Sequence, residues 1–482
     1  MRFGEYLPDL PDRDNNGLTV AKNCIPHTVS YRQILSPVVY SSALDARCRG
    51  VISSQDTAGN TYNYAGDATK LYALGGVTYS DVSVAGGYST ATDDMWEFAK
   101  WGDKIIAVNG LTDSPQIITM GGANFANLGG SPPSARHVGV VRDFVVLGNI
   151  TGSANELHWS AFNDGTGWTA GTDQSDTQEL QSGGWIQRIV GGEYGTIFCE
   201  RSIYRMTYVG YPLIFQLDEV ESNRGTPAPG SVAKFGNSSF YLGWDGFYRF
   251  NGTQSVPIGA NKVDKTFYGD FDGNFYTRIT SAVDPINNLV FWSYPGIGNT
   301  GGRSNRILVY NWTTDRWAGP IELEHHFIAQ TMAIGYTLDE LTTSLGYTDI
   351  DNVPFSLDSR FWQGGNILLS VFDEDHKLNN FTGPAMTATL ETGEYEMNPG
   401  GRSFITGVRP LYVGDGAATL ALGTRSGVND PVSWSASVSP NSQTGLCPFR
   451  VNARYHRARM TITGGFDHAF GVEAEGKQVG KK

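Results

Sequence analysis

The sequence predicts an all-β protein: a β-propeller of about seven blades, with an extended amino-terminal arm and a carboxy-terminal β-sandwich. Three observations carry this. A two-stranded aromatic unit recurs at near-constant spacing along the 482 residues. Sixty glycines, 12% aromatics and only 17% charged residues suit many short strands joined by tight turns. No window sustains an apolar stripe at helical spacing, and the nearest helical candidate, Thr92 to Lys100, is short and polar at its start.

The unit is clearest at Ser239 to Gly252. Phe240, Leu242 and Trp244 alternate with smaller or more polar neighbours, the period of a strand with one buried face. Asp245-Gly246 predicts a type I′ hairpin turn, which needs two positive-φ residues. Phe247 to Phe250 then reads as the returning strand. A lone hairpin cannot bury its hydrophobic face in water, so the unit must repeat.

Six further units fit the pattern: Thr61–Tyr64 with Leu71–Leu74, Ile105–Val108 with Gln116–Ile118, Phe144–Leu147 with Leu157–Trp159, Ile197–Cys199 with Ile203–Met206, Leu289–Tyr294 with Ile307–Tyr310, and Arg360–Trp362 with Ile367–Phe372. With Tyr72, Ile117, His158, Tyr204 and Tyr248 as markers, the steps are 45, 41, 46 and 44 residues. That is the length of a four-stranded propeller blade, about 40–45 residues. Longer later steps place insertions in blades six and seven.

Blades are expected over 47–390. Residues 1–46, rich in proline and turn residues, read as an extended arm, because proline cannot donate to a ladder. Beyond residue 390 the alternation lengthens: Ala388–Gly393, Thr419–Leu422, Val432–Ser435 and Arg459–Thr463 suit a small β-sandwich over 391–482, with a polar tail from Glu473 expected to fray.

Composition narrows the function. Thirty-five basic against 48 acidic residues leave a net charge of −13, the opposite of a protein that grips DNA by neutralising phosphates, yet suited to a surface that DNA slides past. No stretch approaches the roughly 20 apolar residues needed to span a bilayer, and the amino terminus lacks the apolar run of a signal peptide. Cys24, Cys48, Cys199 and Cys447 are scattered without metal-type pairing and read as reduced, buried thiols.

The chemical motifs are weak. Asp12-x-Asp14-x-Asn16-Gly17 begins like a calcium loop, but its twelfth position is Asn23, so an Asx-rich turn is the simpler reading. Ser160 to Trp168 resembles the structural Asp-box hairpin of sialidase propellers with altered spacing. Phe372 to His376 and His325-His326 read as solvated loop and surface pair. No Gly-x-Ser-x-Gly elbow or phosphate-binding Gly/Lys loop is present, so no catalytic residue, cofactor or metal is expected. Arg450, Arg454, Arg457 and Arg459 form the one dense basic cluster, open to DNA contact in an oligomer or to salt links within the sandwich or to a neighbouring subunit, the latter favoured.

Gly4-Glu5-Tyr6-Leu7-Pro8-Asp9-Leu10-Pro11-Asp12, Gly17-Leu18-Thr19 with Ala21-Lys22-Asn23-Cys24-Ile25-Pro26, Ala43-Leu44 to Gly50, and Arg454-Tyr455-His456-Arg457-Ala458-Arg459 together resemble the tail nozzle or tail-hub proteins of short-tailed bacteriophages. The resemblance implies a structural virion protein and no enzyme: a homo-hexameric ring below the head–tail connector, assembled in the bacterial cytoplasm. Its expected partners are the connector, tail fibre or needle proteins, and double-stranded DNA in sequence-independent passage, with no membrane. It assigns Tyr6, Pro8, Asp9, Pro11, Asn23 and Pro26 to contacts with the connector or adjacent subunits. The alternative is a glycan-binding or glycan-hydrolysing propeller, with Trp168 and Trp317 stacking on sugars.

Overall fold

The structure, a computed structural model, describes residues 1–333, 342, 347–353, 356 and 365–480. Seven four-stranded antiparallel units are arranged as blades. Blade 1 is Gly50–Gln55, Thr61–Gly66, Leu71–Gly75 and Thr78–Asp81. Blades 2 to 5 follow in the same meander order, beginning at Glu97, Ala135, Ile186 and Ala233. Blade 6 begins at Thr280 and blade 7 at Phe327. The first strand of each blade is innermost. These strands touch from blade 1 to 2, 2 to 3, 3 to 4, 5 to 6, 6 to 7, and from 7 back to 1. Blades 4 and 5 meet through Phe198, Ile203, Tyr241, Tyr248 and Phe250. The ring is closed, and the fold is a β-propeller.

Each blade packs between two others, so its middle strands bury both faces. Phe144–Ile150 and Leu289–Tyr294 are buried at every position. This corrects the expectation of one buried face at the model hairpin: Phe240, Tyr241 and Leu242 are all buried, whereas Trp244 lies beyond the strand, half exposed, its indole N–H donating to the Glu200 carbonyl at 2.6 Å. The Asp245-Gly246 turn is not type I′ either. Asp245 is absent from the positive-φ residues, and its carboxylate instead accepts from the Tyr248 hydroxyl at 2.9 Å.

Six predicted hairpins are the second and third strands of blades 1 to 6. In the seventh, Arg360–Trp362 lies outside the described residues. Ile367–Phe372 is the outgoing strand and not the return; it turns at Asp373–His376 into Lys377–Ala385. The helical candidate at 92–100 instead contains the start of the strand Glu97–Trp101. A short α-helix, α1 (Asp264–Asp270), follows blade 5.

Residues 1–46 are not a free arm. They supply strands β1 (Leu18–Lys22), β2 (Cys24–Pro26), β3 (Tyr31–Gln33) and β4 (Leu35–Ala43). β4 is the outermost strand of blade 7, pairing Val38 with Asn380 and Val39 with Asn379, so the amino-terminal region closes the ring. Pro37 sits on this outermost strand, a position where a missing N–H costs no ladder bond. β1 lies between the last strand of blade 6 and Ala388–Thr392, fusing blade 6 and the sandwich into one nine-stranded sheet. The facing sheet runs β2, β3, His468–Val479, Arg402–Val413, Cys447–Ala453. The tail expected to fray is instead laddered to Val479, from Glu473 beside Arg409 to Val479 beside Arg402, and Glu473 pairs with Arg409 at 2.6 Å. One continuous core joins sandwich and propeller, from Phe3, Leu18, Leu390 and Met460 to Phe247, Trp292 and Trp317.

Candidate functional site

The innermost strands of all seven blades enclose a central cavity of about 610 Å³. Its wall is divided. Blades 2 to 4 contribute Asp94, Glu97, Arg136, His137 and Arg188, while blades 6 and 7 contribute Ala282, Val283, Phe327 and Ile328. Glu97 and His137 are each 5% exposed, with Glu97 Oε2 2.7 Å from His137 Nδ1. Glu97 Oε1 lies 3.4 Å from Arg188 Nε, and Arg136 Nε donates to Asp94 Oδ1 at 3.0 Å. These contacts cross the boundaries between blades. The triad of Glu97, His137 and Arg188 ties blades 2, 3 and 4 together on the cavity wall. Sequence reasoning missed it. Its trace, a charged residue beside an apolar strand in Glu97-Phe98 and His137-Val138, gains meaning only once the strand facing the axis is known.

A second cleft, of about 380 Å³, lies between blades 1, 6 and 7 and is lined by Arg47, Arg49, Arg278, Arg303 and His326. His326 is held neutral, its pKa pushed down to about 4, mainly by burial and then by His376 and Arg303. His325 is pushed down to about 4 by burial as well, and lies against the Ser293 hydroxyl at 2.6 Å.

The residues singled out from sequence fall in other places. Tyr6 is buried in the shared core. The Asp9 carboxylate accepts from the Lys265 and Thr266 backbone N–H groups at 2.9 and 2.8 Å, at the start of α1. Asn23 bridges the Glu322 N–H and the Thr387 carbonyl, and Pro26 is buried in β2. Pro11 is exposed and Pro8 half-buried. Asp12, from the calcium-like run, forms an ion pair with Arg457, while the Asn15 side chain organises the turn by accepting from Gly17 N–H at 2.8 Å.

Of the arginine cluster, Arg457 is buried against Glu391 and Glu394, and Arg459 pairs with Glu391 at 2.8 Å while stacking 3.8 Å from the Trp434 ring. Arg454 pairs with Glu396 at 2.8 Å. Arg450 is exposed, with no ion pair among the described residues. Three of the four are therefore salt links within the sandwich. Trp168 and Trp317 are buried, so neither presents a ring to a sugar. Asp164 accepts from the Thr166 N–H and hydroxyl in the Asp-box-like stretch, as a turn would require. All four cysteines are free and buried, and burial pushes the Cys199 thiol up to about 12 and Cys447 to about 11. No helix among the described residues is long and apolar enough to cross a membrane.

No protein-family model and no curated protein matches the chain. Solved structures do. The Pan2 WD40 domain of Neurospora crassa is similar at 7% identity and a TM-score of 0.40, over 75% of this chain and 97% of that one. The extracellular domain of a hybrid two-component system of B. thetaiotaomicron aligns at 10% identity and a TM-score of 0.41, over 88% and 50%. An ancestral GH74 enzyme aligns at 11% identity and a TM-score of 0.33, over 73% and 58%. Nothing about function follows from likenesses at this level.

Proposed function

We propose that the chain is a structural ring subunit of a short-tailed phage virion, a tail nozzle or hub, assembled as a homo-hexamer below the head–tail connector. The observation that carries the reading is that two of the separate stretches resembling that family, the first and the last, meet in space. Residues 4–26 and 454–459 flank the same strand, Ala388–Thr392, and Asp12 pairs with Arg457. They form the joint through which propeller and sandwich share one sheet and one core, which suits a load-bearing ring. The genome would pass between subunits, past acidic surfaces with a net charge of −13 per chain, and not through the propeller axis, which side chains from seven blades fill to a small cavity.

A surface for the neighbour is also at hand. The outer strands of blade 4, Ser202–Gly210 and Ile214–Ser222, run nine residues each to a tip where Tyr211 and Leu213 are 88% and 70% exposed. Apolar side chains at a projecting tip fit insertion into another subunit. Native mass spectrometry of the purified chain, with quantitative mass spectrometry of purified virions, tests the reading. A six-fold species and about six virion copies are expected. A monomer at every concentration, absent from virions, would sink it.

A glycan-binding propeller is favoured by one observation, the convergent Arg, Glu and Asp groups of the central cavity with Trp185 half exposed on its wall. Glu97 Oε2 is taken by His137, while Oε1 lies 3.4 Å from Arg188 Nε without a hydrogen bond, leaving an acceptor for a sugar hydroxyl. Glycan-array binding abolished by Arg188→Met would support this second reading.

A further inference from the structure

We propose that the arginine cleft between blades 1, 6 and 7 is a phosphate-binding site, independent of whether the chain is a ring subunit. Arg49, Arg278 and His326 each stand just before the innermost strand of their blade, on the side where Asp93 and Asp94 enter the central cavity. Arg47 Nη2 and Arg278 Nη2 both donate to the Thr92 carbonyl, at 3.2 and 3.1 Å. Two guanidinium groups on one carbonyl oxygen sit within a few ångströms of each other and repel. Arg49 is turned onto the same segment, donating to the Thr90 carbonyl at 3.0 Å.

Counter-charge reaches Arg49 from Asp67, Asp94 and Asp93, but none forms an ion pair with it. Asp93 is 3.8 Å from Arg278 and 72% exposed at its side chain, while Arg47 and Arg49 have no ion pair among the described residues. Arg303, on the far wall, is already satisfied by Glu324 and Glu374. Arg49 Nε and Arg278 Nε are buried without a hydrogen-bond partner. Burial also holds both guanidinium groups below the usual arginine range, so their charge is poorly solvated. In a chain of net charge −13, converging arginines with spare donors call for an anion. Three forks approaching from two blades, Arg47 and Arg49 from blade 1 and Arg278 from blade 6, match a multi-oxygen tetrahedral group better than a planar carboxylate, which one fork saturates. The cleft, about 380 Å³, holds such a group, either as a free ion or as one phosphate of a nucleic-acid backbone.

The test uses the full chain. Inorganic phosphate is titrated by calorimetry at constant ionic strength, with acetate as control, and a 12-base-pair duplex is titrated separately. Saturable phosphate binding, absent with acetate and weakened at least tenfold by Arg47→Gln, is expected. Arg47 is half exposed, so this variant should fold even if Arg278→Gln does not. Phosphate binding without duplex binding assigns the site to the free ion. Duplex binding that phosphate competes away assigns it to the backbone. Binding of neither, or phosphate binding unchanged in Arg47→Gln, overturns the proposal.

Discussion

Deleting residues 1–30 separates the structural account from the sequence expectation most sharply. An arm that only reaches a neighbour could be removed with the propeller intact. In the fold, the deletion strips β1 from the middle of the nine-stranded sheet and exposes the edges of blade 6 and Ala388–Thr392. Phe3, Tyr6 and Leu18, at 3%, 4% and 0% exposure, leave the shared core. At about 1.5–3 kcal/mol for each buried side chain, the loss is roughly 5–9 kcal/mol before ladder bonds are counted. A typical domain has only about 5–15 kcal/mol in total. The Arg316 guanidinium also loses its acceptors, the Gly4, His27 and Thr28 carbonyls. The truncated chain should be mostly insoluble, or should lose near-ultraviolet circular dichroism and cooperative urea unfolding. A soluble truncation with an unchanged urea midpoint would refute the account of β1 as a joint. Docking to a connector is better probed at Pro8 and Pro11, which changes no core contact.

Four other outcomes are expected. Burial, then the nearby Asp9 and Asp245 charges, raise Asp264 to about 7, so the native state holds a proton that the unfolded chain releases near pH 4. Stability from this group is therefore present at low pH and falls as pH rises from about 4 to 7, by on the order of 4 kcal/mol; Asp264→Asn should flatten the urea midpoint across that window. Arg457→Met takes one of two arginine partners from each of Glu391 and Glu394, which keep Arg459 and Arg425, and should cost about 1.5–3 kcal/mol in urea unfolding. Trp317→Ala removes a fully buried ring packed on Trp292 and Phe247, and should cost about 3–5 kcal/mol, read as a lowered Tm. If the blade 4 tip joins subunits, Tyr211→Ser with Leu213→Ser should shift a hexamer to smaller species in sedimentation while leaving the monomer fold unchanged.

The sequence by itself determined the class of structure and the repeat, because both are local. Strand period, glycine turns and a step near 44 residues are written into consecutive positions, and the hairpins at Tyr72, Ile117, His158, Tyr204 and Tyr248 are the third strands of successive blades. The direction of the seventh hairpin was lost where an insertion broke the spacing. Tertiary structure alone decided the rest. A strand's partner is chosen by hydrogen bonding and packing across hundreds of residues, so nothing near Leu35–Ala43 announces that it completes blade 7, or near Leu18–Lys22 that it joins blade 6 to the sandwich. Proline-rich composition there suggested a loose arm because ladder donors are scarce, yet an outermost strand needs donors on one side only. The two candidate sites follow the same logic. Glu97, His137 and Arg188 are far apart along the chain, as Arg278 is from Arg47 and Arg49, and they meet only because ring closure brings the ends of the innermost strands together.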